Sequence, residues 1–206
     1  MNSPTYKELF SVWCERKGLD IKDHQLDGID WVIAREISPE IGPPGGFICD
    51  EMGLGKTILT IAAMVLNPFA SKQHTLIVLP KTLLEQWCQA ILRFIGIEPL
   101  VYHGSGVKKI TKTDLTNSQI VVTTYGMVAT RKTREYKEEF KSPLWEKKWS
   151  RIIFDEAHYL RNHKTGIFKG ARLLNGTIKW MVTGTPINNK RRDFYNQSII
   201  QGVGKC

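Results

Sequence analysis

The sequence has no long hydrophobic run. Its most apolar stretch, ILTIAAMVL at 58–66, is about half the length that a membrane-spanning helix needs. The first residues also lack the basic start and apolar centre of a secretory signal. We therefore expect an intracellular protein that is not secreted and has no membrane partner.

Cysteines at metal-binding spacing are absent as well. The cysteines at positions 14, 49, 88 and 206 form no CxxC pair and no cluster with histidine, which argues against a structural zinc site. The sequence also contains no internal repeat and no low-complexity tract. Its 206 residues, 42% of them hydrophobic and 24% charged, are typical of one globular domain with a sizeable core.

Acidic residues are few in the second half of the chain. Residues 1–103 carry 9 basic and 12 acidic side chains, whereas residues 104–206 carry 20 basic and 8 acidic side chains. The net charge of the whole chain is +9. An anion-binding surface leaves such an asymmetry, and so does a solvated basic face. Charge alone does not separate these two interpretations.

Several short apolar runs end abruptly at a polar residue, a glycine or a proline, which is typical of strands buried on both faces. They lie at 46–51, 75–80, 119–125, 151–156 and 179–185. Apolar residues at helical spacing lie before and between these runs. The series are Leu26, Ile29, Ile33 and Ile37, then Ile58, Ile61, Ala62 and Val65, then Leu84, Trp87, Ile91 and Phe94. This alternation predicts an α/β fold with a mostly parallel sheet.

Tryptophans occur both in these predicted elements and outside them. Segment 129–150 mixes basic and acidic residues with two tryptophans, and we interpret it as an exposed insertion between strands rather than a dedicated binding arm. Trp31, Trp87 and Trp180 fit buried faces, so we expect them in the core and not stacked on bases.

The segment Gly53-Leu54-Gly55-Lys56-Thr57 follows the first predicted strand and precedes an amphipathic helix. Backbone N–H groups at such a helix start face outward, and the helix dipole favours an anion there. Lys56 would reach the β- and γ-phosphates of a nucleotide, and the Thr57 hydroxyl would hold Mg²⁺. The general pattern G-x-x-x-x-G-K-[ST] has glycine where this chain has Asp50.

Asp155 and Glu156 lie at the end of another predicted strand. The carboxyl ends of parallel strands meet at one edge of a sheet, so both carboxylates should lie near the phosphate loop. Asp155 would then coordinate Mg²⁺, and Glu156 would orient and deprotonate the attacking water. An Asp-Glu pair alone is a common surface dipeptide; the pairing with a phosphate loop makes it specific.

Five segments resemble, in their order along the chain, the motifs of the first RecA-like lobe of the Swi/Snf-type ATPases of helicase superfamily two. They are DEMGLGKTIL, LIVLPKTLLEQW, VVTTYGMV, RIIFDEAHYLRN and MVTGTPINN. The resemblance covers residues 22–189. It implies a single RecA-like P-loop domain with helices on both faces of the sheet. In this family the first glycine of the loop is commonly replaced, which accounts for Asp50.

The resemblance implies that this lobe binds ATP with Mg²⁺. Gln25 is similar to the glutamine that hydrogen-bonds adenine. The implied nucleotide-binding residues are Gln25, Asp50, Gly53, Leu54, Gly55, Lys56 and Thr57. The implied metal ligands are Thr57 and Asp155, and the implied catalytic residues are Glu156, Lys56 and Asp155.

The resemblance also implies contacts with the backbone of duplex DNA. The residues assigned to these contacts are Lys81, Thr123, Thr124, Tyr125 and Thr185. Without the family, a threonine-rich strand end is more often a satisfied turn than a DNA contact. Thr183 and Gly184 resemble a motif that links the ATP site to the DNA, and His158 is assigned to bridge the γ-phosphate site to that motif.

Motors of this family contain two RecA-like lobes, and the second lobe supplies arginines that stabilise the transferring phosphoryl group. Residues 190–206 do not resemble the family's leucine-rich helix and hold no second lobe. We therefore expect residues 1–206 to form one lobe that hydrolyses ATP weakly unless a second lobe, such as a separately encoded one, completes it. The resemblance implies a nucleus or another DNA-containing compartment.

Two other functions remain open from the sequence. The first is a non-enzymatic, nucleotide-responsive module that binds DNA or a partner, or the remnant of a split gene. The second is a small-molecule kinase, which is disfavoured because the Asp155-Glu156 pair supplies a water-activating carboxylate and no acceptor pocket is recognisable.

Overall fold

Six strands form one parallel sheet in the computed structural model, which describes residues 3–51, 53–67, 74–130, 142–187 and 191–203. The strands are β1 (Gly45–Ile48), β2 (Thr75–Leu79), β3 (Leu100–Tyr102), β4 (Ile120–Thr124), β5 (Lys148–Asp155) and β6 (Asn175–Val182). Their order across the sheet is β1-β6-β5-β2-β4-β3, and every neighbouring pair is parallel. The predicted α/β fold with a parallel sheet is confirmed.

All strands end at one edge of the sheet. Ile48 of β1 and Asp155 of β5 both lie opposite Val182 of β6, and Leu79 of β2 lies opposite Thr124 of β4. The segments that carry the predicted site residues follow these positions directly. The parallel register therefore gathers them along the carboxyl edge.

Helices cover both faces of the sheet. They are α1 (Tyr6–Lys17), α2 (Asp23–Ile37), α3 (Lys56–Leu66), α4 (Leu84–Ile95), α5 (Lys112–Asn117), α6 (Tyr125–Val128), α7 (Pro143–Glu146), α8 (Gly166–Leu173) and α9 (Arg191–Gln201). Among these described helices, none combines the length and the apolar character that crossing a membrane requires.

Alternate strand residues enter two separate cores. Ile77 and Ile153 pack with α1 to α4 on one face, whereas Leu76 and Ile152 pack with α5 to α9 on the other. This alternation follows from the two-residue period of side chains along a strand. Both faces of β2 are therefore apolar, as its continuous apolar sequence predicts.

Local sequence signals set the ends of the first helices. Thr5 and Glu8 form a capping box at the start of α1, and Gly18 ends the helix in the left-handed conformation.

On α2 the predicted apolar series is buried at Ile29 but not at Ile37, which is 56% exposed. The burial predicted for Trp31 is also wrong: its side chain is 46% exposed and packs edge-on against Trp180.

The expectation of an exposed insertion at 129–150 is wrong for residues 142–150. Leu144 of α7 and Trp149 of β5 are fully buried, and Trp149 Nε1 donates a hydrogen bond of 3.0 Å to the Leu144 carbonyl. The apolar residues of 142–150 thus complete the second core. Positions 131–141 lie outside the described residues.

A buried ion pair joins elements that are far apart in the chain. Arg151 of β5 donates two hydrogen bonds to the Glu36 carboxylate of α2, the one from Nε at 2.7 Å. Trp180 Nε1 and Asn67 Nδ2 donate to the same carboxylate at 2.7 and 2.8 Å. Four donors thereby satisfy a charge that burial would otherwise make costly.

Candidate functional site

The loop between β1 and α3 has the geometry of an anion cradle. Gly53 and Gly55 both have a φ of 82°, a left-handed conformation that glycine adopts without strain, and Gly55 is the N-cap of α3. Lys56 and Thr57 form the first turn of this helix. Lys56 Nζ donates to the carbonyls of Asp50 and Glu51 at 2.7 and 2.9 Å, so the ammonium lies over the loop that would receive phosphate.

The start of α2 packs against this loop. Gln25 is buried, accepts a hydrogen bond from the Lys22 N–H at 3.1 Å and donates through Nε2 to the Leu54 carbonyl at 3.3 Å. His24 Nε2 lies 3.0 Å from the same carbonyl, and Lys22 Nζ donates to the Gly53 carbonyl at 3.2 Å. The structure therefore brings Gln25 to the loop as expected. The contacts of Lys22 and His24 were not foreseen, because neither residue belongs to a recognisable pattern.

Asp155 ends β5 as a largely buried carboxylate with 7% of its surface exposed. Trp87 Nε1 donates to Oδ2 at 2.6 Å, and the Glu156 N–H donates to Oδ1 at 3.0 Å. Burial raises the pKa of Asp155; these two hydrogen bonds and the charge of Lys56 oppose that rise, whereas the charge of Glu156 adds to it. Burial therefore dominates, and the pKa of Asp155 lies above its ordinary value.

Glu156 adopts an unusual backbone conformation. Its φ of 51° and ψ of 50° are left-handed, and it is the only residue other than glycine with positive φ in the described part of the chain. Such a conformation costs about 1–3 kcal/mol and concentrates at functional sites. It turns the chain sharply after β5, and the Glu156 carboxylate lies 2.9 Å from His158 Nδ1.

Thr183 and its neighbours close the site from the side of β6. The buried Thr183 donates its N–H to the Ile48 carbonyl at 3.0 Å, and its Oγ1 accepts from the Thr185 N–H at 3.2 Å. The loop after β6 is thus tied to the end of the strand that precedes the phosphate loop. The described partners of the His158 ring are Glu156 and Tyr159, so its bridge to Thr183 stays a prediction.

The residues predicted to contact DNA fall into two groups. Lys81 and Thr185 are exposed at the carboxyl edge. Thr123 Oγ1 donates to the Tyr102 carbonyl at 2.7 Å, Thr124 Oγ1 lies 3.1 Å from His103 Nδ1, and the Tyr125 hydroxyl donates to the Asp155 carbonyl at 2.7 Å.

The side chains of this second group are buried. Their hydroxyls are engaged inside the protein, so a side-chain contact with DNA is not available to Thr123 or Tyr125 in this conformation.

The donor set fits Mg²⁺ and a nucleotide. Carboxylate and hydroxyl oxygens are the ligands that Mg²⁺ prefers, and Asp155 and Thr57 supply one of each. A buried carboxylate whose pKa burial raises also gains most from a nearby cation. The residues present are therefore suited to Mg-ATP.

A cavity of about 610 Å³ lies elsewhere, between α8 and α9. Phe168, Arg172, Arg192 and Tyr195 contribute to its wall, and none of its lining residues belongs to the phosphate loop or the carboxylate pair. The converging loop, lysine and carboxylates make the carboxyl edge a better candidate for chemistry than this cavity.

Comparisons with known proteins show which family the chain is similar to. The SNF2-related domain family matches residues 24–201. An uncharacterized ATP-dependent helicase of Schizosaccharomyces pombe is 36% identical over 194 residues, which cover 85% of this chain and 18% of that protein. The DNA repair protein RAD5 of Yarrowia lipolytica is 34% identical over 176 residues, which cover 78% of this chain and 17% of RAD5.

A solved structure with this fold is the Sulfolobus solfataricus SWI2/SNF2 ATPase core in complex with dsDNA. It is 27% identical, has a TM-score of 0.72, and the match covers 90% of this chain and 36% of the solved chain. The chain thus spans less than a fifth of those two curated relatives and about a third of the solved core.

Proposed function

The chain belongs to the SNF2-related domain family, and from this premise we propose that it is the ATP-binding lobe of a DNA-dependent ATPase of the chromatin-remodelling or DNA-repair type. One observation carries the proposal. The strand that precedes the phosphate loop of Lys56 ends at Ile48, which lies opposite the same residue, Val182, as Asp155 does, and Glu156 follows directly. A phosphate-binding cation and a paired acid thus share one edge of the sheet.

Each residue then has a defined task in nucleotide binding. The N–H groups at the start of α3 and the Lys56 ammonium bind the phosphates. Asp155 and Thr57 would hold Mg²⁺, which neutralises charge on the phosphates when bound. Gln25, which donates a hydrogen bond to the Leu54 carbonyl of the loop, would read the adenine edge.

Glu156 is the proposed base for the attacking water. Its side chain is partly exposed, with 21% of its surface accessible, so it is more open to solvent than Asp155, of which 7% is exposed. His158 Nδ1 lies 2.9 Å from this carboxylate. The left-handed backbone at Glu156 directs it away from the line of β5.

Hydrolysis at full rate requires a second lobe in this proposal. Arginines supplied to the transferring phosphoryl group raise turnover by about 10³ to 10⁵ in related phosphoryl-transfer enzymes. We propose that such arginines come from a second RecA-like lobe, in the same polypeptide or in another chain. Residues 1–206 alone should then bind Mg-ATP better than they hydrolyse it.

Duplex DNA is the proposed partner of the carboxyl edge. Lys81 and Thr185 are exposed there, and the basic excess of residues 104–206 would attract the phosphate backbone without base recognition. The related Sulfolobus core was solved with dsDNA, which supports the same partner here. This activity belongs in a compartment that holds DNA, such as the nucleus.

The first test measures ATP binding and turnover with and without duplex DNA. We expect Lys56→Ala to abolish Mg-ATP binding. Glu156→Gln should retain Mg-ATP binding. With a second lobe present, it should lower DNA-stimulated ATP turnover at least about 100-fold. Lys112→Ala, which removes one partner of an exposed ion pair, is the control and should leave both unchanged.

The same measurements also distinguish the proposed ATPase from the non-enzymatic alternative. Equal ATP binding by Lys56→Ala and the parent chain would contradict the proposal. DNA binding that is indifferent to ATP, with no turnover even when a second lobe is added, would instead support a non-enzymatic DNA-binding module.

A further inference from the structure

Trp87 contacts the candidate site from a helix that carries none of the predicted catalytic residues. It lies on α4 and is almost fully buried. Its Nε1 donates a hydrogen bond of 2.6 Å to Asp155 Oδ2, although the two residues are 68 positions apart. The sequence predicted Trp87 as a core residue, which is confirmed, but it gave no sign of this contact.

This bond helps to fix the orientation of the Asp155 carboxylate. Oδ2 accepts from Trp87 and Oδ1 accepts from the Glu156 N–H. Each carboxylate oxygen has two lone pairs, so one remains on each oxygen for another ligand. The backbone of Asp155 is held as well, because its carbonyl accepts from the Tyr125 hydroxyl.

We propose that Trp87 is a positioning residue that holds the Asp155 carboxylate in the orientation needed for a divalent cation. The inference rests on the proposed function, since it assumes a cation at Asp155. Hydrogen-bond partners of a metal-binding carboxylate commonly change metal affinity by about 10- to 100-fold when they are replaced. Trp87 therefore sets cation affinity without touching the nucleotide.

A purely structural role makes a different prediction. Trp87 also packs in the core between the sheet and α1 to α4, so its replacement lowers stability in either case. Only the positioning role changes the concentration of Mg²⁺ that nucleotide binding requires. Trp149 offers a matched control, because it is equally buried and donates its indole N–H to the Leu144 carbonyl.

The experiment compares Trp87→Phe and Trp149→Phe. Binding of a fluorescent ADP is followed by anisotropy while Mg²⁺ is titrated, and circular dichroism checks that each variant is folded. We expect Trp87→Phe to raise the half-saturating Mg²⁺ concentration about tenfold, and Trp149→Phe to leave it unchanged. An unchanged value for Trp87→Phe, or equal shifts for both variants, would overturn the inference.

A second replacement at position 87 tests the inference even if Trp87→Phe does not fold. Benzothienylalanine at position 87 keeps the shape of tryptophan and lacks only the N–H, and it should give the same tenfold shift. In an Asp155→Asn background, Trp87→Phe should add no further shift, because the two residues act as one unit. A parent chain that binds ADP without any dependence on Mg²⁺ would contradict the proposed function itself, together with this inference.

Discussion

At the scale of single residues, two glycines of the phosphate loop have the same backbone but different surroundings. Gly53 and Gly55 share a φ of 82°. A Cβ on Gly53 would meet nothing within 4 Å, whereas a Cβ on Gly55 would lie 2.2 Å from Gln25 Nε2. Gly53 is thus needed for conformation alone, and Gly55 is needed for conformation and for space.

This difference predicts unequal effects of alanine at the two positions. Gly53→Ala should lower the free energy of unfolding by about 1–2 kcal/mol through left-handed strain. Gly55→Ala should cost about 1 kcal/mol more, because Gln25 must leave its hydrogen bond with Leu54. Urea denaturation of both variants measures the difference.

The displacement of Gln25 should also reduce the preference for ATP over GTP in Gly55→Ala but not in Gly53→Ala. Competition between the two nucleotides checks this. Equal stabilities and equal nucleotide preferences for the two variants would show that Gln25 does not constrain position 55.

At the scale of secondary-structure elements, α9 buries polar residues where an apolar face would be expected. Gln197 and Gln201 are both buried, and the Oε1 atom of each has no hydrogen-bond partner among the described residues. Among the described residues, the Gln201 amide makes one long hydrogen bond, of 3.5 Å from Nε2 to the Pro43 carbonyl. That carbonyl also accepts from Arg35 at 2.9 Å.

Gln201→Leu is therefore expected to stabilise the chain. The change removes a buried acceptor without a partner and leaves the Pro43 carbonyl hydrogen-bonded to Arg35, so the free energy of unfolding should rise by about 1 kcal/mol. Urea denaturation measures it. Gln89→Leu on the exposed side of α4 is the control and should change stability by less than about 0.5 kcal/mol. A loss of stability in Gln201→Leu would mean that the amide contributes a bond in solution.

The elements differ in how well the sequence predicts them. β2 and β4 carry continuous apolar runs and lie where the pattern places them, because strands covered on both faces need such runs. β3 is too short for a pattern, with three residues of which only Tyr102 is buried. The prediction for segment 142–150 was wrong because its charged residues surround two fully buried core side chains, Leu144 and Trp149, with Trp145 packed against the same core.

At the scale of the whole molecule, the fold sorts the two halves of the sequence onto opposite faces of the sheet. Helices α1 to α4 cover one face and α5 to α9 cover the other. Part of the basic excess of residues 104–206 lies on the helices of the second face, namely Lys112, Lys169, Arg172, Arg191 and Arg192. The sequence shows the excess, and the fold shows which face these residues occupy.

Some features of the candidate site can be recognised in the sequence, whereas others appear only when the chain is folded. The loop, the carboxylate pair and Gln25 stand in recognisable motifs. Trp87 contacts Asp155, and Arg151 contacts Glu36, across 68 and 115 positions, and no local pattern in the sequence shows that these residues meet.

The buried ion pair leads to a prediction for global stability. Arg151→Met should lower the free energy of unfolding by about 3–5 kcal/mol, because the Glu36 charge then stays buried without its cation. Lys112→Met removes one partner of the exposed pair with Glu146 and should cost less than about 1 kcal/mol. Thermal and urea unfolding compare the two.

A second substitution checks the cause of this loss. Glu36→Gln combined with Arg151→Met removes the stranded charge and should recover part of the stability. Similar losses for Arg151→Met and Lys112→Met would rule out a special contribution from the buried pair.

The left-handed backbone at Glu156 sets stability against activity at one position. Glycine would relieve the strain there, but it would also delete the carboxylate on which water activation depends. A laboratory selection that rewards only thermal resistance would thus favour inactive chains at this site. Any engineered form of the protein has to hold position 156 constant and seek robustness elsewhere.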